Sequence, residues 1–302
     1  MTIVQSNSLT LQNKVDFAII FRVTNANPNG NPLDGNRPRI DYDGIGEITD
    51  VCLKRKLRDR LAEHGNAIFV QSEDRKTDQF NSLAERAKSV LNGSFKSPEA
   101  TRVKACETWF DVRSFGQLFA IAGEKAKPRT GSGAKTDSAK DSVDEGSADG
   151  VSIGIRGPVT IQSAFSVEPV AITSTQITKS VSGSTTANGK RSSDTMGMKH
   201  RVDSAVYVAY GSMNPCLAER TGFTDEDAAT IKALLPKLLE NDASSGRPEG
   251  SMEVVKVVWW SHPSKSGICG SAKVHRSLKV NSDGSYNLSE IEGLTPEEID
   301  GF

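Results

Sequence analysis

The sequence predicts an α+β fold, on three observations. An apolar strand-like run, Val15 to Val23, passes through a loop rich in Gly, Asn and Pro (Asn25 to Gly46) into a helix (Glu47 to Glu63). A β-branched region opens at Val151 and continues to Tyr210, broken by turn residues. A helical segment through Ile231 and Leu239 then precedes a second apolar strand, Met252 to Trp260. Strand, helix, strands, helix, strand is the order of a split β-α-β layout with insertions between its elements.

In the first strand, Val15, Phe17, Ile19, Phe21 and Val23 alternate onto one face, while Asp16 and Arg22 share the other with Ala18 and Ile20. One face is core and the other mixed. The run Asn27-Pro28-Asn29-Gly30-Asn31-Pro32, followed by Asp34-Gly35-Asn36-Arg37-Pro38-Arg39, continues neither as helix nor as strand, because Pro removes donors and Gly and Asn favour turns. Such a loop is expected to turn backbone N–H groups toward an anion. In the helix, Leu53, Leu57 and Leu61 form a core stripe, with Lys54 and Arg58 one above the other on the adjoining face and Arg55 beside them. Residues 66–97 carry a helical apolar period (Phe80, Leu83, Ala87, Val90, Leu91), and the aromatic stretch Thr108 to Phe119 reads as a strand or turn leading into a short helix, its rings in the core.

The segment Lys125 to Gly150 holds almost nothing that could be buried and is expected to be mobile. In the β-branched region, Arg156 has small neighbours, Gly154 and Gly157, that would let a ligand approach. Ile172 to Val181 and Met196 to Tyr210 read as two limbs of a hairpin, with Lys179 on one and Lys199, His200 and Arg201 on the other making a basic projection. Thr224-Asp225-Glu226-Asp227 is an N-cap with an acidic first turn, and His262-Pro263 closes the last apolar strand. The layout is that of ferredoxin-like and RNA-recognition folds.

With 302 residues and a net charge of −1, the chain can bury a full core but does not coat nucleic acid with its whole surface. Any nucleic-acid site is then a segregated patch. The acidic end (Glu290, Glu292, Glu297, Glu298, Asp300) reads as a solvated terminus. Four scattered cysteines (Cys52, Cys106, Cys216, Cys269) show no zinc or disulfide spacing, and no run resembles a signal peptide or spans a bilayer, so a cytoplasmic protein with reduced thiols and no membrane partner is expected. His64, His200, His262 and His275 form no metal motif, residues 183–191 lack P-loop spacing, Asp41-Tyr42-Asp43-Gly44 lacks a calcium-ligand set, and no nucleophile elbow follows a strand. No metal, cofactor or intrinsic active site is expected.

Several motifs in order, Ala26-Asn27-Pro28-Asn29-Gly30-Asn31-Pro32 with Gly35-Asn36-Arg37-Pro38-Arg39, Asp111-Val112-Arg113-Ser114-Phe115-Gly116, Ile153-Gly154-Ile155-Arg156-Gly157-Pro158-Val159, Gln176-Ile177-Thr178-Lys179 and Lys199-His200-Arg201-Val202-Asp203, resemble the repeated backbone subunit of type I CRISPR surveillance complexes (Cascade), nearest the type I-C branch. The resemblance runs from the first strand to the last. It implies an RNA-recognition-motif (ferredoxin-like) palm with a helical fingers insertion and a β-hairpin thumb. On that pattern residues 1–65 begin the palm, 66–150 hold the fingers and the mobile loop, 151–172 return to the palm, 173–202 form the thumb and 203–302 complete the palm and tail.

The resemblance also implies partners: CRISPR RNA, further copies head-to-tail along it, other surveillance-complex subunits, and target DNA through the guide. It places RNA contacts at Arg37 and Arg39 in the loop and at Lys54, Arg55 and Arg58 on the helix, with Arg22 on the first strand and Arg156 in the GIRGP strand. Lys179, Met196, Met198, Lys199, His200 and Arg201 would lie in or at the base of the thumb. Such a subunit is a scaffold that leaves sequence reading to base pairing. The alternative is an RNA endonuclease using Asp34 in the loop after the first strand, as related backbone subunits of type III complexes do.

Overall fold

The computed structural model describes residues 9–91, 97–121, 151–178 and 196–302. The expected mobile segment Lys125 to Gly150 and the hairpin residue Lys179 lie outside the described residues.

Strand β1 (Val15–Ala26) leads into a small hairpin, β2 (Gly30–Asn31) and β3 (Arg37–Pro38), then into β4 (Ile45–Ile48) and helix α1 (Asp50–Glu63). The expected helix start at Glu47 is corrected. Glu47 and Ile48 pair with Phe165 and Ala164, and Thr49 caps the helix, its side chain accepting from the Cys52 N–H. A helical region follows, α2 (Leu83–Leu91), α3 (Pro98–Thr108) and α4 (Phe110–Phe115), and then the hairpin β5 (Gly116–Ile121) and β6 (Val151–Arg156). The aromatic stretch around Trp109 therefore runs helix then strand, the reverse of the expected order, because Gly116 at φ +82° ends α4.

The chain continues through β7 (Val159–Ile161), β8 (Ala164–Pro169), β9 (Ile172–Thr178) and the long β10 (Met196–Met213). Helices α5 (Pro215–Thr221) and α6 (Asp225–Leu234) come next, the latter opened by a reciprocal capping box between Thr224 and Asp227. The C-terminal part holds β11 (Met252–Ser261), α7 (Ser271–Ser277), the pair β12 (Leu278–Val280) and β13 (Tyr286–Leu288), and β14 (Pro296–Asp300). Part of the acidic end is thus an edge strand of the sheet, with its carboxylates exposed to solvent. Its carboxylates are tied down, Glu297 to Lys232 at 2.5 Å, Glu298 to the Tyr286 hydroxyl and Asp300 to Lys256.

The main sheet runs β14-β11-β1-β10-β8-β4, each neighbouring pair antiparallel. On one face, Phe17, Ile19, Phe21 and Val23 pack with Leu53, Leu57 and Leu61 of α1 and with Ile231 and Leu235. The other face, expected to be mixed, is a second core: Ala18 and Ile20 pack with Val258, Trp260, Val274, Leu278 and Leu294. Burying a side chain of this size contributes roughly 1.5–3 kcal/mol, so neither face is free to act as a binding platform. A third core unites the helical region with the β5–β6 hairpin through Phe69, Leu91, Trp109, Phe119 and Ile153.

Two glycines clamp that hairpin to α4. A Cβ on Gly157 would lie 2.2 Å from the Ser114 carbonyl oxygen, and one on Gly116 would lie 2.2 Å from that of Ile155. Backbone cannot yield as a flexible side chain would. Gly157→Ala should therefore cost about 2 kcal/mol or more in denaturant unfolding, whereas Gly154→Ala, whose Cβ meets nothing within 4 Å, should change stability by less than about 0.5 kcal/mol.

Candidate nucleic-acid interface

β1 ends at Ala26, which pairs with Val202 of β10. Before Val202, residues 196–201 of β10 pair with β9 alone, so the two strands leave the sheet as a ribbon whose outer residues are exposed. The Asn-rich loop leaves β1 at the same corner, and β3 packs against β10.

Asn27, Asn29 and Asn31 each make a distinct bond. The Asn27 N–H donates to Gly246 O (2.8 Å) and its Nδ2 to Asn36 O (2.7 Å). Asn29 Oδ1 accepts from both the N–H (3.0 Å) and the hydroxyl (2.9 Å) of Thr49, linking the loop to the α1 cap. Asn31 Oδ1 accepts from the Leu33 N–H (3.2 Å), and Gly35 and Asn36 turn the hairpin at φ +55° and +62°. A Cβ on Gly30 would fall 1.9 Å from Asn36 Oδ1, so any larger residue there would displace the Asn36 side chain. Asp41 Oδ1 closes the next turn on the N–H groups of Asp43 (3.0 Å) and Ile45 (2.9 Å).

This corrects the expectation that the loop offers backbone N–H groups to an anion. Many are engaged internally, and the first turn of α1 is likewise taken, Asp50 N–H donating to Ser163 Oγ (3.3 Å) and Cys52 N–H to Thr49 Oγ1 (3.4 Å). What the loop presents is side chains. Arg37 is exposed, and Arg39 is half-buried with its Nε enclosed and without a hydrogen-bond partner.

The other expected contacts fall into groups. On the ribbon, Met196, Met198 and Lys199 are exposed, and Arg201 is exposed with a 3.7 Å ion pair to Asp203 among the described residues. His200 is buried, its Nδ1 2.8 Å from Ser174 Oγ, so it serves the ribbon's packing. Arg156 is exposed at the end of β6, next to the strand that pairs with Met213. Met213 faces Val15, which places Arg156 toward the opposite end of β1, roughly 35 Å from the loop corner at the rise of an extended strand.

Four cations are held by intramolecular partners. Arg22 bridges Glu253 (3.1 Å) and donates to Asp283 O (3.0 Å). Lys54 pairs with Asp50 (2.9 Å), and Arg55 bridges Asp59 (2.7 Å) and Asp242 (2.9 Å). Arg58 donates from Nε to the buried Asp111 (2.9 Å), whose other contacts are the N–H groups of Phe69 and Val70, and its guanidinium lies 5.0 Å from the Phe115 ring centroid. Releasing Arg58 to a phosphate would leave a buried carboxylate without its cation, a costly exchange. The alternative residue Asp34 sits exposed in the short helical turn at the β2–β3 tip. Among the described residues no group of three His, Cys, Asp or Glu is placed to hold a metal ion.

Sequence reasoning missed three features. Leu33 and Tyr42 are fully exposed, and Ile40 half so, in the same loop as Arg37. Two histidines converge on the buried Asp16, His262 Nε2 at 2.8 Å and His275 Nε2 at 3.7 Å, with Lys14 at 2.9 Å. Burial lowers the His275 pKa despite that carboxylate. Finally, the buried Lys56 pairs with Asp242, which also binds Arg55 and Arg247 (2.9 Å). This network fixes the 241–251 loop, whose Gly246 carbonyl receives the Asn27 N–H. Only the aromatic residue in a turn was a signal available in the sequence; the other two arise from distant segments.

A family model described as CRISPR-associated protein Cas7 matches residues 13–296. The CRISPR-associated protein Cas7 of Haloferax volcanii is 26% identical over 243 residues, covering 78% of this chain and 67% of that protein. Among solved structures, a chain of a pre-nicking CRISPR RNA-guided surveillance complex is similar over 82% of this chain and 78% of its own, with 15% identity and a TM-score of 0.41. A chain of another CRISPR RNA-guided surveillance complex is similar over 90% and 77%, with 14% identity and a TM-score of 0.42.

The Asp242 network makes a pH-dependent prediction. Burial opposes ionisation of Asp242, but Lys56, Arg247 and Arg55 outweigh it and hold the carboxyl below its ordinary value. A depressed native pKa stabilises the fold above the unfolded value and is lost as pH falls through the native one. Asp242→Asn should cost about 3 kcal/mol at neutral pH, because Lys56 stays buried without its counter-charge. Chemical denaturation across pH should show the gap from wild type closing below about pH 4.

Proposed function

We propose that this chain, which belongs to the CRISPR-associated Cas7 family, is the CRISPR RNA-binding backbone subunit of a type I surveillance complex of the I-C branch. Copies line up head-to-tail along the guide in the cytoplasm, beside the other subunits, grip its phosphates and leave its bases free to pair with target DNA. The observation that carries this reading is the corner where β1 ends opposite Val202. There an ordered loop bearing Arg37 and Arg39 meets a ribbon bearing Lys199 and Arg201.

The chemistry suits a sequence-independent grip. Cations reach phosphates without reading bases, and the guide supplies specificity by pairing. The described segments also suit the expected parts. β1, α1, β8, β10, α6 and β11 follow one another as in a ferredoxin-like or RNA-recognition unit, and the sheet order β11-β1-β10-β8 supports a palm of that type. The third core supports a fingers region, and the β9–β10 ribbon a thumb. A head-to-tail array needs a heterologous interface. On this reading the subunit is a scaffold without catalysis. Metal-dependent RNA cutting abolished by Asp34→Ala would replace it with the nuclease alternative.

The test is binding of CRISPR RNA and of unrelated single-stranded RNA across a salt series, with the mass of each complex recorded. Wild type should bind with strong salt dependence and add mass in whole-subunit steps. The triple variant Arg37→Ala/Lys199→Ala/Arg201→Ala should bind more weakly, its log–log salt slope shallower by about 2, at roughly 0.7 per phosphate contact on a single strand. An unchanged slope would contradict the assignment of the corner.

A further inference from the structure

We infer that Tyr42 is a stacking post for an unpaired nucleobase of the single-stranded RNA that Arg37 and Arg39 hold by its phosphates. The inference rests on the RNA-gripping reading of the corner and adds to it a contact with a base.

Among the chain's four tyrosines, Tyr42 stands apart. Tyr207 is buried and stacked on Phe21 at 5.7 Å between ring centroids, Tyr210 stacks on His275 at 4.8 Å, and Tyr286 is bound to Glu298. Tyr42 is fully exposed, with no hydrogen bond or ring contact among the described residues. An isolated exposed apolar side chain needs no explanation. This one shares its loop with Leu33 and Ile40, the first fully and the second half exposed, so the loop carries three exposed apolar side chains.

The turn that carries Tyr42 is rigid. Gly44 N–H closes it on Asp41 O (3.2 Å) with Gly44 at φ +79°, Asp41 N–H bonds Ile45 O (3.0 Å), and the Asp41 carboxylate takes the two N–H groups described above. Its base is tied to Arg39 through the Glu47 N–H (2.9 Å) and to the end of β8 through Val170 N–H on Gly44 O (2.9 Å). An aromatic ring held in water on a preorganised turn loses little conformational entropy when a flat partner covers it.

Charge selects the partner. Asp41 and Asp43 flank Tyr42 in the sequence, so a phosphate is disfavoured at the ring itself, while Arg37 and Arg39 lie upstream along the same segment. A chain whose anionic groups alternate with neutral flat ones satisfies both requirements. Base–aromatic stacking is tolerant of sequence, as a subunit repeated along an arbitrary guide would need.

The test compares wild type with Tyr42→Ala, Tyr42→Phe and Tyr42→Trp on a single-stranded RNA oligonucleotide and on an abasic ribose-phosphate chain of equal length, across a salt series. Tyr42→Ala should weaken RNA binding about tenfold with an unchanged salt slope, and Tyr42→Phe should restore it. Wild type and Tyr42→Ala should bind the abasic chain equally. The added tryptophan of Tyr42→Trp should be quenched by RNA and not by the abasic chain. Equal binding of RNA by Tyr42→Ala and wild type, or an equal loss on the abasic chain, overturns the inference. So does loss of stepwise assembly with short-RNA affinity intact, which would make Tyr42 a contact between copies. If Arg37→Ala still flattens the slope in any of these cases, the phosphate-gripping reading stands without the base contact; if no variant or wild type binds RNA, both fall.

Discussion

Strand β10 extends past the end of β1, and the candidate interface follows from that mismatch. From Val202 to Met213 it is a sheet strand between β1 and its neighbours; from Met196 to Arg201 it has only β9 beside it. A strand cannot change partners without changing environment. Burial along β10 goes from an exposed Met196 to a buried Met213, and the transition falls where β1 turns away at Ala26. The loop that β1 releases there is held by Asn27, Asn29 and Asn31, so a stiff loop and a projecting ribbon meet at one corner.

Much of the rest of the molecule is taken up by the fold itself. Both faces of the main sheet are sealed, one by α1 and α6 and the other by α7 and the C-terminal strands. Among the described residues the sheet therefore offers no open platform of stacking residues such as RNA-recognition modules use. Cations elsewhere are largely matched: Arg58 by Asp111, Arg113 by Asp227 in two bonds (2.8 and 2.9 Å), and Lys56 by Asp242. With a net charge of −1 on the whole chain, a local surplus of free cations matters more than the total.

The strands were legible because their apolar periodicity is strong. Val15 to Val23, Met196 to Tyr210 and Met252 to Trp260 all lie in strands, and the Thr224 cap opens a helix as expected. The start of α1 was not legible, since Glu47 and Ile48 extend only because Phe165 and Ala164 pair with them across a long separation. Nor was the second core behind Ala18 and Ile20, where the covering residues come from the far end of the chain. The motifs that carried the family resemblance divide. Asp111, Arg113, Gly116 and Gly157 are built into the fold, whereas Arg37, Lys199 and Arg201 face solvent. A row of basic residues on α1 looked like a binding face because its partners, Asp111 and Asp242, lie 53 and 187 residues away.

The most direct measurement is photo-crosslinking of a uridine-substituted guide RNA to the assembled protein, followed by peptide mapping. Crosslinks concentrated in residues 33–42 and 196–201 are what the proposed enclosure of one RNA strand by the loop and ribbon predicts. Crosslinks concentrated on the exposed part of α1, with none at the corner, would contradict the account.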